Sequence, residues 1–95
     1  MPISPASRKI QRTRRFGRDI RRLPRDVQEE AFQAASKLSA NIFDPTLNVK
    51  HLTGFRGVYR VVVLRDYRMI FSFDAENIYL LSIGHRREIY RNFEI

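Results

Sequence analysis

The sequence contains no cysteine, only four glycines and four prolines, and ten acidic residues against eighteen basic ones. Without cysteine there is no disulfide framework, no thiolate metal site and no sulfur nucleophile, so the fold must hold by packing alone. The two histidines, His51 and His85, lie far apart in the chain and make a poor start for a metal site, so no metal and no cofactor is expected. No run approaches the ~18 apolar residues of a membrane span, and the basic N-terminus lacks the apolar stretch of a signal peptide. The expectation is a soluble, cytoplasmic protein with no membrane partner. There is no internal repeat or low-complexity tract, and 95 residues are expected to form one domain, 1–95, burying about 60 to 68% of the unfolded chain's surface.

What the chain has in excess is positive charge. The net charge is +8, and all but three of the eighteen basic residues are arginine. Arginine forks match phosphate bidentately and stack on bases, so the bias favours a nucleic acid or another polyanion as partner.

Residues 1–7, with two prolines and two serines, read as a loosely ordered leader. Arg8 to Thr13 reads as a short strand whose Thr13 caps the next element. Phe16, Ile20 and Leu23 then recur at helical spacing, with Arg14, Arg15, Arg18, Arg21 and Arg22 on the remaining surface. Pro24 separates this helix from a second, with Val27, Ala31, Ala35, Leu38 and Ile42 along one side and an end expected near Asn41. Phe43 to Gly57 is a long connection of the kind associated with function. Leu52 is its expected anchor, and Gly54 and Gly57 let the backbone turn.

Tyr59–Leu64, Tyr67–Phe73 and Ile78–Ile83 are β-branched and aromatic runs separated by short polar breaks, the pattern of an antiparallel meander. Tyr59, Val61 and Val63 share one side of their strand, as do Met69, Phe71 and Phe73 of the next. If both sets face the core, opposite residues sum to an even number, which requires a three-residue turn or a bulge. That register leaves Arg60, Val62, Arg68 and Ile70 together on the other face. Gly84 to Arg91 reads as a cationic segment carrying an imidazole and a phenol, too short and charged to be core.

In this order, the basic strand, the helical pair broken at Leu23-Pro24, Leu52-Thr53-Gly54, Tyr59-Arg60, Asp66-Tyr67-Arg68-Met69-Ile70-Phe71 and Gly84-His85-Arg86-Arg87-Glu88-Ile89-Tyr90 resemble the RelE/ParE superfamily of bacterial toxins over residues 8–91. The resemblance implies an α+β fold, β-α-α-β-β-β, in which two N-terminal helices pack on one face of a small antiparallel sheet and a short segment ends the chain. It implies a toxin neutralised by a cognate antitoxin. One branch cleaves mRNA, commonly on the ribosome, without a metal; another inhibits DNA gyrase and has no ribonuclease site. An inactive RNA-binding module is a third alternative. By resemblance Arg68 matches an arginine that holds the scissile phosphate, Arg86 one on the leaving-group side, and Tyr90 a tyrosine that orients a base. Where the ribosome-dependent prototype has two lysines spaced by one residue, this chain has Arg60 and Val62. Arginine stays protonated and is a poor base, which leaves His85, His51 and Lys50 as proton acceptors. The expected catalytic set is Arg60, Arg68, His85, Arg86 and Tyr90, with Lys50, His51, Arg14, Arg15, Arg18, Arg22 and Arg87 on RNA.

Overall fold

The computed structural model describes residues 7–92; all but the last residue of the expected leader lies outside them. Strand β1 (Lys9–Arg12) leads into helices α1 (Arg14–Arg21) and α2 (Arg25–Ala40). A single 3-10 turn (Pro45–Leu47) precedes β2 (Lys50–His51), β3 (Tyr59–Val63), β4 (Tyr67–Phe73), β5 (Asn77–His85) and helix α3 (Arg86–Asn92). The five strands form one sheet in the order β1-β5-β4-β3-β2.

Local chemistry sets these boundaries. Thr13 is the N-cap of α1, its hydroxyl accepting from the Phe16 N–H at 3.1 Å while donating to the Leu80 carbonyl at 3.0 Å, so one side chain starts the helix and ties it to β5. Pro24 stands at the N-cap position of α2 and Asn41 at its C-cap. α1 begins with Arg14 and Arg15 and has no acidic residue in its first turn. Cations at the positive end of a helix dipole, and like charges at i,i+3 and i,i+4, each cost about 0.2 to 1 kcal/mol.

The central hairpin has the expected register: Tyr59 opposes Phe71, Val61 opposes Met69 and Val62 opposes Arg68. Its turn is the three residues Leu64, Arg65 and Asp66, with Leu64 at φ 44 and Arg65 at φ 69, a left-handed pair that costs non-glycine residues of order 1 kcal/mol each or more. On the helix side of the sheet, Phe16, Val27, Ala31, Leu38, Val61, Met69, Phe71 and Leu80 belong to one buried cluster.

Three features differ from the sequence reading. The sheet is mixed, because β1 joins β5 in parallel while the remaining pairs are antiparallel; the αα hairpin carries the chain across the sheet between β1 and the far edge. The Phe43–Gly57 connection contributes an edge strand, β2. The C-terminal segment is a helix whose Ile89 is buried with Leu52, Val58 and Ile70 in a second cluster on the opposite side of the sheet, so it does contribute to a core.

A bulge in β5 governs where its end points. Ile70 opposes Ser82 but Phe71 opposes Leu80, which leaves Leu81 without an opposite residue. One extra residue reverses which side the following side chains face. Ile83 therefore joins the large cluster, and His85 comes to lie opposite Tyr67.

Candidate functional site

The positions expected to carry function fall in three places. The first is a cleft of about 360 Å³ at the β2–β3 edge, lined by Lys50, His51, Leu52, Thr53, Arg60 and Tyr90. β2 and β3 bring it together, with Lys50 directly opposite Arg60 and His51 opposite Tyr59. The His51 ring stands edge-on to Tyr59 at 5.4 Å. Arg60 donates from Nη1 to the Asn48 carbonyl at 3.2 Å, which fixes the guanidinium at the rim. Tyr90, 46% exposed, reaches the cleft from α3. Like charges placed directly opposite on neighbouring strands repel, and no carboxylate lines this cleft. Two cations, an imidazole and a phenol without an internal anion form a site suited to an external one.

The second place is the β3–β4 turn. The half-buried Arg68 donates from Nη1 to the Arg65 carbonyl at 2.8 Å and the Tyr67 carbonyl at 2.9 Å. Arg86 lies 3.7 Å from the Asp66 carboxylate, and its backbone N–H donates to the Asp66 carbonyl. Arg60 and Arg68 share a sheet face, as the register requires, but their guanidinium groups are anchored on different loops. Arg68 and Arg86 here brace a strained turn. That use was invisible in sequence, because it depends on the left-handed Leu64 and Arg65.

The third place is a cleft of about 420 Å³ between α1 and α3, whose lining includes Arg15, Asp19, Arg22, Tyr67, His85 and Glu88. His85 is in it because of the bulge. Its ring stands edge-on to Tyr67 at 5.5 Å and its Nδ1 accepts from the Arg87 N–H at 3.2 Å, so it is on the helix side of the sheet, away from Arg60. Sequence reasoning missed Asp19 and Ser82 here: the fully buried Ser82 hydroxyl donates to Asp19 at 2.8 Å, and Arg15 pairs with the same carboxylate at 3.8 Å. The available signal was one acid within a helix of arginines. Arg14, Arg18 and Arg21 are exposed on the outside of α1, and Arg87 is exposed on α3.

Among the described residues, no three His, Cys, Asp or Glu side chains gather where a metal ion could bind, and no helix is long and apolar enough to cross a membrane.

This architecture is that of solved toxins of toxin–antitoxin pairs. The RelB–RelE antitoxin–toxin complex from Methanococcus jannaschii has a chain that is 20% identical and superposes with a TM-score of 0.71, covering 88% of this chain and 99% of that one. The YoeB dimer from Staphylococcus aureus gives a TM-score of 0.73 at 13% identity, over 85% and 99% of the two chains. The intact RelBE toxin–antitoxin complex of E. coli gives 0.68 at 16%, over 83% and 96%. Among curated proteins, none matches in sequence. The sequence model of the ParE toxin of type II toxin–antitoxin system, parDE, matches residues 10–90. The chain thus belongs to that family, within the RelE/ParE superfamily of type II toxins.

Proposed function

We propose that this toxin is a metal-independent endoribonuclease acting on mRNA, with the ribosome as a platform, and that its site is the Lys50–His51–Arg60–Tyr90 cleft. The observation that carries the reading is the cross-strand Lys50–Arg60 pair beside an imidazole and a phenol, with no carboxylate among the lining residues. In this scheme His51, whose ring packs on Tyr59 at the other face of β2 but which also borders the cleft at the open sheet edge, takes the proton of the 2′-hydroxyl as its oxygen attacks phosphorus. Arg60 meets the charge growing on the phosphate, and the Lys50 ammonium protonates the departing 5′-oxygen, leaving a 2′,3′-cyclic phosphate and a 5′-hydroxyl. Tyr90 stacks on a neighbouring base. Arg68 and Arg86 support the site through the turn they brace. A cognate antitoxin holds the toxin inactive; an acidic partner for a +8 chain should bind more weakly as salt rises.

A second reading is favoured by the commitment of Arg68 and Arg86 to the protein's own oxygens and by the ParE family match: an inhibitor of gyrase without ribonuclease chemistry. One experiment separates the two. Single-turnover cleavage of a defined message, with and without ribosomes, is measured in chelator alongside gyrase supercoiling. Arg60→Ala is expected to slow cleavage about a hundred-fold to a thousand-fold, His51→Ala to behave similarly, and His85→Ala to retain most activity. Near-parental cleavage by folded Arg60→Ala and His51→Ala would remove this cleft from the mechanism; inhibition of gyrase without cleavage would select the second reading.

A further inference from the structure

We propose that α1 is a binding surface for the phosphodiester backbone of a double-helical nucleic acid, separate from the Lys50–Arg60 cleft. Arg14, Arg18 and Arg21 stand at i, i+4 and i+7, the spacing of one stripe along a helix, and all three are exposed. Phe16 and Ile20 of the same helix are buried, so the stripe faces away from the core. Among the described residues, none of these three side chains takes part in a hydrogen bond or ion pair. The one carboxylate on the helix, Asp19, is engaged by Arg15 and by the Ser82 hydroxyl.

This arrangement works against the helix that carries it. Each neighbour along the stripe is like-charged, and the first turn has no acid to meet the dipole. A helix that needed only solubility would be better served by interspersed acids, and local rules broken at one place mark a functional surface. The chemistry of the stripe selects the class of partner. Surfaces that hold single strands interleave cations with aromatic platforms for bases, but the aromatic residue of α1, Phe16, is fully buried. What remains is a rigid line of guanidinium forks spanning about 10 Å, which suits regularly spaced phosphates and reads no bases. The stripe lies on the helix layer, whereas the cleft opens at the β2–β3 edge. Binding here therefore does not depend on which activity the cleft has.

The test is equilibrium binding, followed by fluorescence anisotropy across a salt series, to a short RNA duplex, the sequence-matched DNA duplex and the single-stranded RNA. Arg14→Ala/Arg18→Ala/Arg21→Ala is expected to bind duplex on the order of a hundred-fold more weakly near 0.1 M salt, with the slope of log affinity against log salt reduced by about three. A control triple, Lys9→Ala/Lys37→Ala/Arg56→Ala, removes the same charge from other exposed positions and is expected to lose far less. The α1 triple should unfold at an equal or higher temperature, because alanine relieves the repulsion and is the better helix former. Binding of either duplex in this pattern supports the proposal, and the ratio between the two identifies the source. Equal losses in both triples would overturn it, as would single strands binding as tightly as duplex. Polyglutamate competing as well as duplex would make the stripe an acidic-protein surface instead. No arm requires cleavage, so failure here is distinct from failure of the ribonuclease reading.

Discussion

On one side of the sheet, α1 and α2 lay Phe16, Ile20, Val27 and Leu38 against Val61, Met69, Phe71 and Leu80. On the other, Leu52, Val58 and Ile89 meet Ile70, with Phe55 and Leu81 partly buried beside them. The thick side is made by long elements with regular apolar periods. The thin side is roofed by a glycine-bounded turn and by α3, which otherwise exposes Arg86, Arg87, Glu88, Tyr90 and Arg91. Around the thin cluster stand Arg60, Arg68, Arg86 and Tyr90. The contrast is one of burial: the helix side holds the larger buried cluster, and the other side holds four buried apolar residues under a short cover, so the helix side is expected to supply most of the stability and the cover to open first.

The comparison can be broken most forcefully from the thick side. Phe71→Ala removes a fully buried ring from the strand that touches both neighbours, and is expected to cost about 3 to 5 kcal/mol in denaturant unfolding. That is a large part of the 5–15 kcal/mol total typical of domains. A loss below about 1 kcal/mol would mean that the helix-side core is not the main source of stability.

Ile89→Ala makes the matching change on the thin side. Its expected cost is about 2 kcal/mol, the low end for such truncations, because a cover held by few contacts can settle into the space. Hydrogen exchange should rise in α3 and in 52–58 while α2 stays protected. Exchange rising equally across the molecule would show that the two sides unfold together and that the cover has no independence.

Thr13→Ala tests how α1 is fastened to the thick side. The hydroxyl caps the helix and also meets the Leu80 carbonyl, so a loss of about 1 kcal/mol is expected. Thr13→Ser, which keeps both bonds, should recover most of it. Failure of serine to rescue would assign the loss to the methyl group.

The two sides were also unequally legible from sequence. Period-two alternation in Tyr59–Phe73 located the central hairpin and its register, and Thr13, Pro24 and Asn41 marked the helix limits, because each signal is local. β2 has only two residues and exists through pairing with Tyr59 and Arg60, so no pattern announces it. α3 buries a single apolar side chain within a charged run, too little for a helical period. The expected catalytic set grouped His85 with Arg60, but the bulge at Leu81, which no local pattern announces, brings His85 opposite Tyr67 instead. The carbonyl partners of Arg68 exist because Leu64 and Arg65 adopt left-handed conformations, which neither residue type favours.

The smallest expected effect lies at the turn joining β4 to β5, on neither side. Asp74 accepts from the backbone N–H groups of Glu76 at 2.9 Å and Asn77 at 2.7 Å and from the Tyr79 hydroxyl at 2.8 Å. The Glu76 N–H, followed by the Tyr79 hydroxyl, holds its carboxyl below the usual range, while bonding to Asp74 pushes Tyr79 up. Asp44 is lowered in the same way, first by the Thr46 hydroxyl and then by the Thr46 N–H. For the two carboxylates the folded-state value is the lower one. Their contribution is present above the unfolded value of about 3.9 and is lost as pH falls through the folded one. For Tyr79 the sign reverses: its contribution is present below about 10 and is lost as pH rises through its folded value. Asp74→Asn keeps one acceptor oxygen but removes the charge. Thermal unfolding of this variant should vary less with pH below about 4 than in the parent, leaving the part due to Asp44, and Tyr79 should ionise at lower pH in an absorbance titration. An unchanged tyrosine titration would break the link between the two side chains. An unchanged acid limb would mean that this turn has no share in the pH dependence of folding.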